Sequence, residues 1–156
     1  MMADGLPIPA RLFTLIERGL WPRTQAEALR QNINSLVSKE RIQLFAPEED
    51  RVYLLRPPFH TVAELRRMGE EKFWSTFGAP DGISPDLAVA IASFGLGSDS
   101  SILLDYREDK CSPSVIRLKW RKALGLSNVW VRCADSFEAF ADMLGLDVGD
   151  SNLCSH

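Results

Sequence analysis

Four carboxylates, Asp99, Asp105, Glu108 and Asp109, crowd one stretch of the chain. Oxygen donors of this kind are what Mg²⁺ and Ca²⁺ take up. Their spacing does not follow an EF-hand loop, and acidic residues at strand ends commonly satisfy turn N–H groups or face water. The expectation is therefore no metal, with Asp99 hydrogen-bonding to the backbone of its own turn. An imidazole can act as a general base, and His60 follows Pro57-Pro58-Phe59 directly ahead of a helix start. Neither G-x-S-x-G nor H-E-x-x-H occurs to supply it with a nucleophile or a metal, so a loop or capping role is expected. Gly95-x-Gly97 invites a phosphate cradle, but the G-x-G-x-x-G pattern is incomplete and SSILLDY beyond it reads as a strand. Gly95 and Gly97 are expected to supply positive φ to a turn. Cys111 sits beside Asp109, whose carboxylate disfavours a thiolate. No catalytic residue and no cofactor are assigned, and a metal-assisted hydrolase using Asp99, Asp105 and His60 stands as an alternative.

The elements that must hold these residues centre on 88 to 107, AVAIASFGLGSDSSILLDYR, which reads as two buried strands joined by a tight Gly-rich loop. Ser84-Pro85-Asp86 could instead start a helix there, yet the run is short and Gly95 and Gly97 follow at once. Upstream, Pro9 opens a helix with Leu12, Phe13, Leu15 and Ile16 mostly on one face, and Gly19 stops it. Thr24 with Glu27, and Thr61 with Glu64, are capping boxes, the first opening a helix to about Asn34 and the second a helix with Val62, Leu65 and Met68 on one face. Residues 41 to 45 and 51 to 55 flank Pro47-Glu48-Glu49-Asp50 and read as a hairpin, the first segment alternatively as a helix tail. Pro57-Pro58 ends the second strand. In VIRLKW, Ile116, Leu118 and Trp120 are expected to face the core, with Val115, Arg117 and Lys119 opposite. A further strand covers Val129 to Cys133. Asp135 or Ser136 then caps a last helix carrying Phe137, Phe140, Ala141 and Leu144, ended by Gly145.

A chain of 156 residues with 46% hydrophobic content can form one core without disulfides or metal. A single domain over 1–146 and a flexible polar tail over 147–156 are expected. The net charge of −3 advertises no nucleic-acid partner, and the basic runs Arg66-Arg67 and Arg117 to Lys122 are broken by apolar residues. The N-terminus, MMADGLPIPARLF, has no apolar core of signal-peptide length, and no later segment approaches the roughly 18 uninterrupted apolar residues of a membrane span. Cys111, Cys133 and Cys154 are widely spaced without C-x-x-C, so reduced thiols in a cytoplasmic protein are expected. Trp is enriched among interface hot spots. Trp21, beside Pro22, and Trp120, beside Arg121 and Lys122, are the candidates for a partly exposed binding patch, whereas Trp74 and Trp130 are assigned to the core.

FGLGSDSSILLDY, SPSVIRLKW and NVWVRCADSFEAFADMLGL, with Ala134, Ser136, Phe137 and Phe140 in the last, together resemble the SUKH superfamily of Smi/Knr-like domains. The likeness runs from Ala88 to Leu146; Leu6-Pro7 and Leu12-Phe13 echo the start of the family pattern, but its Asn-Gly-Gly turn is missing. The resemblance implies an α+β domain with a mixed, mostly antiparallel sheet of about five or six strands flanked by about four helices. It further implies a non-enzymatic protein-binding role: an immunity protein that covers a bacterial toxin domain, or alternatively a regulatory or scaffold domain with a housekeeping partner. Glu48, Glu49 and Asp50, with Asp105, Glu108 and Asp109, are then the acidic residues expected to meet a basic toxin cleft. No nucleic acid or membrane is expected as partner, and the chain is expected to be a monomer or weak homodimer.

Overall fold

The computed structural model describes residues 1–70, 83–94, 101–119 and 129–146. A short antiparallel ribbon pairs β1 (Met2–Ala3) with β2 (Leu6–Pro7). Five strand segments, β3 (Tyr53–Leu54), β4 (Ala88–Ser93), β5 (Ser101–Asp105), β6 (Ser114–Lys119) and β7 (Val129–Ala134), form one sheet in that order. Every pairing in it is antiparallel. The helices are α1 (Ala10–Glu17), α2 (Gln25–Arg30), α3 (Lys39–Ile42), α4 (Val62–Leu65), which runs on as a π turn over Arg66–Glu70, and α5 (Phe137–Leu144). The α+β class and the strand at 88 to 93 agree with expectation, and among the described residues the sheet is antiparallel rather than mixed. None of these helices is long and apolar enough to cross a membrane.

Both faces of the sheet are covered. On one, Val89, Ile91, Ile102, Leu104 and Val115 pack with Leu12 and Leu15 of α1, Trp21, and Phe137, Phe140 and Leu144 of α5. On the other, Ala88, Ala90, Leu103 and Ile116 meet Val62 and Ile83. A bulge explains how AVAIAS serves both. Ala90 pairs with Leu103 and Ala92 with Ile102, so Ile91 is the extra residue, and it turns Ala92 onto the same side as itself. Cys133 is the matching extra residue on β7, between Arg132 opposite Ile116 and Ala134 opposite Val115. The expected facing of β6 is therefore corrected: the larger core lies on the Val115 side, and Ile116 enters the smaller cluster. Trp120 lies outside the described residues, as do Phe73, Trp74 and Phe77, the turn with Gly95, Gly97 and Asp99, and the tail over 147–156.

The hairpin expected around residue 48 is also corrected. Residues 39 to 42 are helical, capped by Ser38, whose hydroxyl accepts from the Arg41 N–H. Ile42, Phe45 and Ala46, at helical rather than alternating spacing, are the buried residues of this stretch. The partner of β3 is β4, with Tyr53 opposite Ser93 and Leu54 opposite Ala92. Near the N-terminus, Asp4 (φ 50°) and Gly5 (φ 92°) make the two-residue turn of the β1–β2 ribbon. This hairpin is missing from the sequence reading, although Asp-Gly is a dipeptide that such turns favour.

Caps form at the expected threonines with different second partners. The Thr24 hydroxyl accepts from the Glu27 N–H, but the Glu27 carboxylate returns to the N–H and guanidinium of Arg23. The Thr61 hydroxyl accepts from the Glu64 N–H, while the Thr61 N–H donates to the Asp4 carboxylate at 2.8 Å. Asp4 thus joins the N-terminal ribbon to α4. Ser136 caps α5, and Gly145 (φ 76°) ends it in the left-handed conformation.

Candidate functional site

Three of the six acidic residues expected at a binding face, Glu48, Asp105 and Glu108, are engaged with arginines of the same chain. Glu48 receives both terminal nitrogens of Arg117 at 2.6 and 3.2 Å, and that guanidinium is only 3% exposed beneath Phe94. Burial pushes the Glu48 carboxyl up, but hydrogen bonds from Arg117 and the backbone, with the attraction of Arg117 and Lys119, leave it below its ordinary value. Asp105 is buried and bidentate to Arg107. Glu108 pairs with Arg132 at 2.9 Å, and Asp109 accepts from the Cys111 N–H. Asp50 is exposed, 3.7 Å from Lys39, and Glu49 is half-buried.

Trp21 does not reach the surface, contrary to expectation. Its ring is fully buried against Phe137, and its indole N–H donates to the Leu55 carbonyl at 2.7 Å.

His60 and Asp105 are not brought together. The bridge from Thr61 to Val89 and the pairing of Asp105 with Ala88 put them on opposite sides of β4. His60 Nδ1 instead faces Asp4 at 3.5 Å. Burial pushes the Cys133 thiol up to about 12, so it stays protonated near neutral pH. Among the described residues, no three His, Cys, Asp or Glu side chains gather closely enough to hold a metal ion.

What does stand open is the segment after α2. No residue of α2 is buried, and Gln31, which follows it, is almost completely so. The Gln31 amide copies a neighbouring strand: its oxygen accepts from the Leu54 N–H at 2.8 Å and its nitrogen donates to the Leu54 carbonyl at 2.9 Å. This closes the outer edge of β3. Arg51 donates to the Gln31 carbonyl, and Ser35 to the Val37 carbonyl, while Val37 plugs into the core. Between these anchors the backbone turns outward and presents Ile33 at 83% and Leu36 at 41% exposure, with Leu29 at 54% on the last turn of α2. Ile33 and Leu36 line a shallow groove with Lys39, Asp50 and Arg51. Leu36 also borders an adjoining depression with Arg23, Glu27 and Arg30. Sequence reasoning missed this site because LRQNINSLV shows only isolated apolar residues, and the buried glutamine that holds the turn has no periodic signature.

No protein-family model matches the chain, and no curated protein or solved structure shows significant similarity to it.

Proposed function

We propose that this chain is a non-enzymatic protein-binding domain, an immunity protein that covers a toxin domain of its partner in the cytoplasm. The observation that carries the reading is the groove at Ile33 and Leu36, an apolar centre held out to solvent within a charged rim. Anchored apolar side chains surrounded by polar groups are the anatomy of a protein interface. Burying Ile33 on a partner would contribute about 1.5–3 kcal/mol that the chain alone does not gain. The SUKH-like pattern over 88 to 146 supports the class of partner.

The test uses the tagged full chain and its Ile33→Asp variant as bait in a lysate of the source organism, followed by co-expression of each captured protein's separate domains. A partner retained by the native chain and lost with Ile33→Asp is expected, together with one toxic domain whose growth arrest the native chain relieves. If co-expression relieves no arrest, the immunity role is excluded; if Ile33→Asp retains the partner, the groove is not its docking site.

A further inference from the structure

The groove has a charge opposite in sign to that of the molecule. The chain carries a net −3, yet the groove and the depression beside it are bordered by Arg23, Arg30, Lys39 and Arg51 against Glu27 and Asp50. Both carboxylates already have a cation, Glu27 on Arg23 at 2.8 Å and Asp50 near Lys39 at 3.7 Å. Among the described residues neither Arg30 nor Arg51 forms a close ion pair, although, after the hydrogen bonds from Arg23, the charge of Arg30 helps to hold the Glu27 carboxyl below its ordinary value. Arg51 is held in place by the Gln31 carbonyl and by the Tyr53 ring, 5.2 Å from its guanidinium carbon, and its buried Nε has no hydrogen-bond partner. Elsewhere Glu48, Asp105 and Glu108 are each paired with an arginine of the same chain. Around the groove and the depression beside it, four cations thus stand against two carboxylates.

We propose that the groove accepts an acidic, apolar-centred segment of a protein partner, with an apolar side chain packed on Ile33 and Leu36 and carboxylates reaching Arg30 and Arg51. The inference rests on the protein-binding reading above and gives the partner the opposite charge to the basic cleft expected from sequence. Guanidinium groups suit carboxylates because two N–H donors can meet two oxygens. The apolar centre disfavours a polyphosphate chain, whose affinity comes from cationic contacts along its length.

Two synthetic amphipathic peptides test this, both with leucines at helical i, i+3, i+4 and i+7 spacing, one with glutamates and one with lysines elsewhere. Each is titrated into the isotope-labelled full chain by NMR, with a single-stranded RNA of equal charge as a third probe. The glutamate peptide should bind at least about tenfold more tightly than the lysine peptide, with shifts centred on 29 to 51. Arg30→Gln, an exposed replacement that leaves the fold alone, should narrow that preference, and Ile33→Ser should weaken the glutamate peptide. Tighter binding of the lysine peptide at the same residues would overturn the acidic partner while leaving the groove a docking site. Equal binding by RNA, shifts elsewhere, or no binding by either peptide would overturn the inference as well. The protein-binding reading is judged separately, by capture and co-expression.

Discussion

Two buried polar side chains do different work at the residue scale. The Gln31 amide serves both backbone groups of Leu54 on the free side of β3. A buried group left without its partner costs about 1–3 kcal/mol, so Gln31→Ala should destabilise by on the order of 3 kcal/mol in urea unfolding. An unchanged midpoint would mean that water replaces the amide. Arg117 is a buried cation with an unpartnered Nε, facing a Glu48 that is 42% exposed. Breaking this pair leaves the carboxylate free to turn to water, so Arg117→Met should change stability by less than about 1 kcal/mol. Arg117→Ala, which opens space under Phe94, should cost about 2–5 kcal/mol. The same pair sets a pH dependence. Glu48 is held below its ordinary 4.5 in the folded chain, so the folded state releases this proton more readily than the unfolded state. The stabilisation is present above that value and is lost as pH falls through the lowered folded pKa. Unfolding midpoints of the native chain and Glu48→Gln should therefore differ near neutral pH and converge below 4.5; a constant gap would refute the linkage.

Caps and turns connect the elements, and their predictions belong there. α5 supplies Phe137, Phe140, Ala141 and Leu144 to the core, and its first turn depends on Ser136, whose hydroxyl accepts from the Ala139 N–H at 3.1 Å. Ser136→Ala should cost about 1 kcal/mol in thermal or urea unfolding, and Ser136→Asp should restore most of it. Asp4 turns the β1–β2 ribbon with positive φ and holds the Thr61 N–H. Asp4→Asn keeps both the turn preference and an acceptor oxygen, so it should remain near native stability, whereas Asp4→Val should be clearly destabilised. Equal stability of the two variants would show that this joint contributes nothing.

The groove at Ile33 concerns the whole molecule, because there, with the depression beside it, a globule with net −3 presents four cations against two carboxylates. Ile33→Ser removes an exposed side chain and should leave the unfolding midpoint within about 0.5 kcal/mol of native. It should nonetheless abolish retention of the partner on a column. A variant that unfolds early would mean that Ile33 is a core residue. Parts of the fold were legible: the apolar strands over 88 to 93 and 101 to 105, the last helix with its cap and glycine stop, and the threonine caps. These follow from periodicity and local hydrogen bonding, which neighbouring residues control. The strand within 51 to 55 was legible as well, as β3, but its pairing with β4 and the facing of β6 were not, because they depend on residues far away in the chain. The candidate site was the least legible, since exposure of Ile33 is defined by what surrounds it.

The sequence by itself determined the α+β class, the two central strands and the capped helices, since hydrophobic period and capping chemistry act over a few residues. Only the tertiary structure decided that Trp21 is buried, that Glu48, Asp105 and Glu108 are each paired with an arginine, and that Ile33 stands out beside Arg51. The physical reason is that local geometry sets backbone conformation, whereas burial and charge pairing depend on which distant residue arrives opposite.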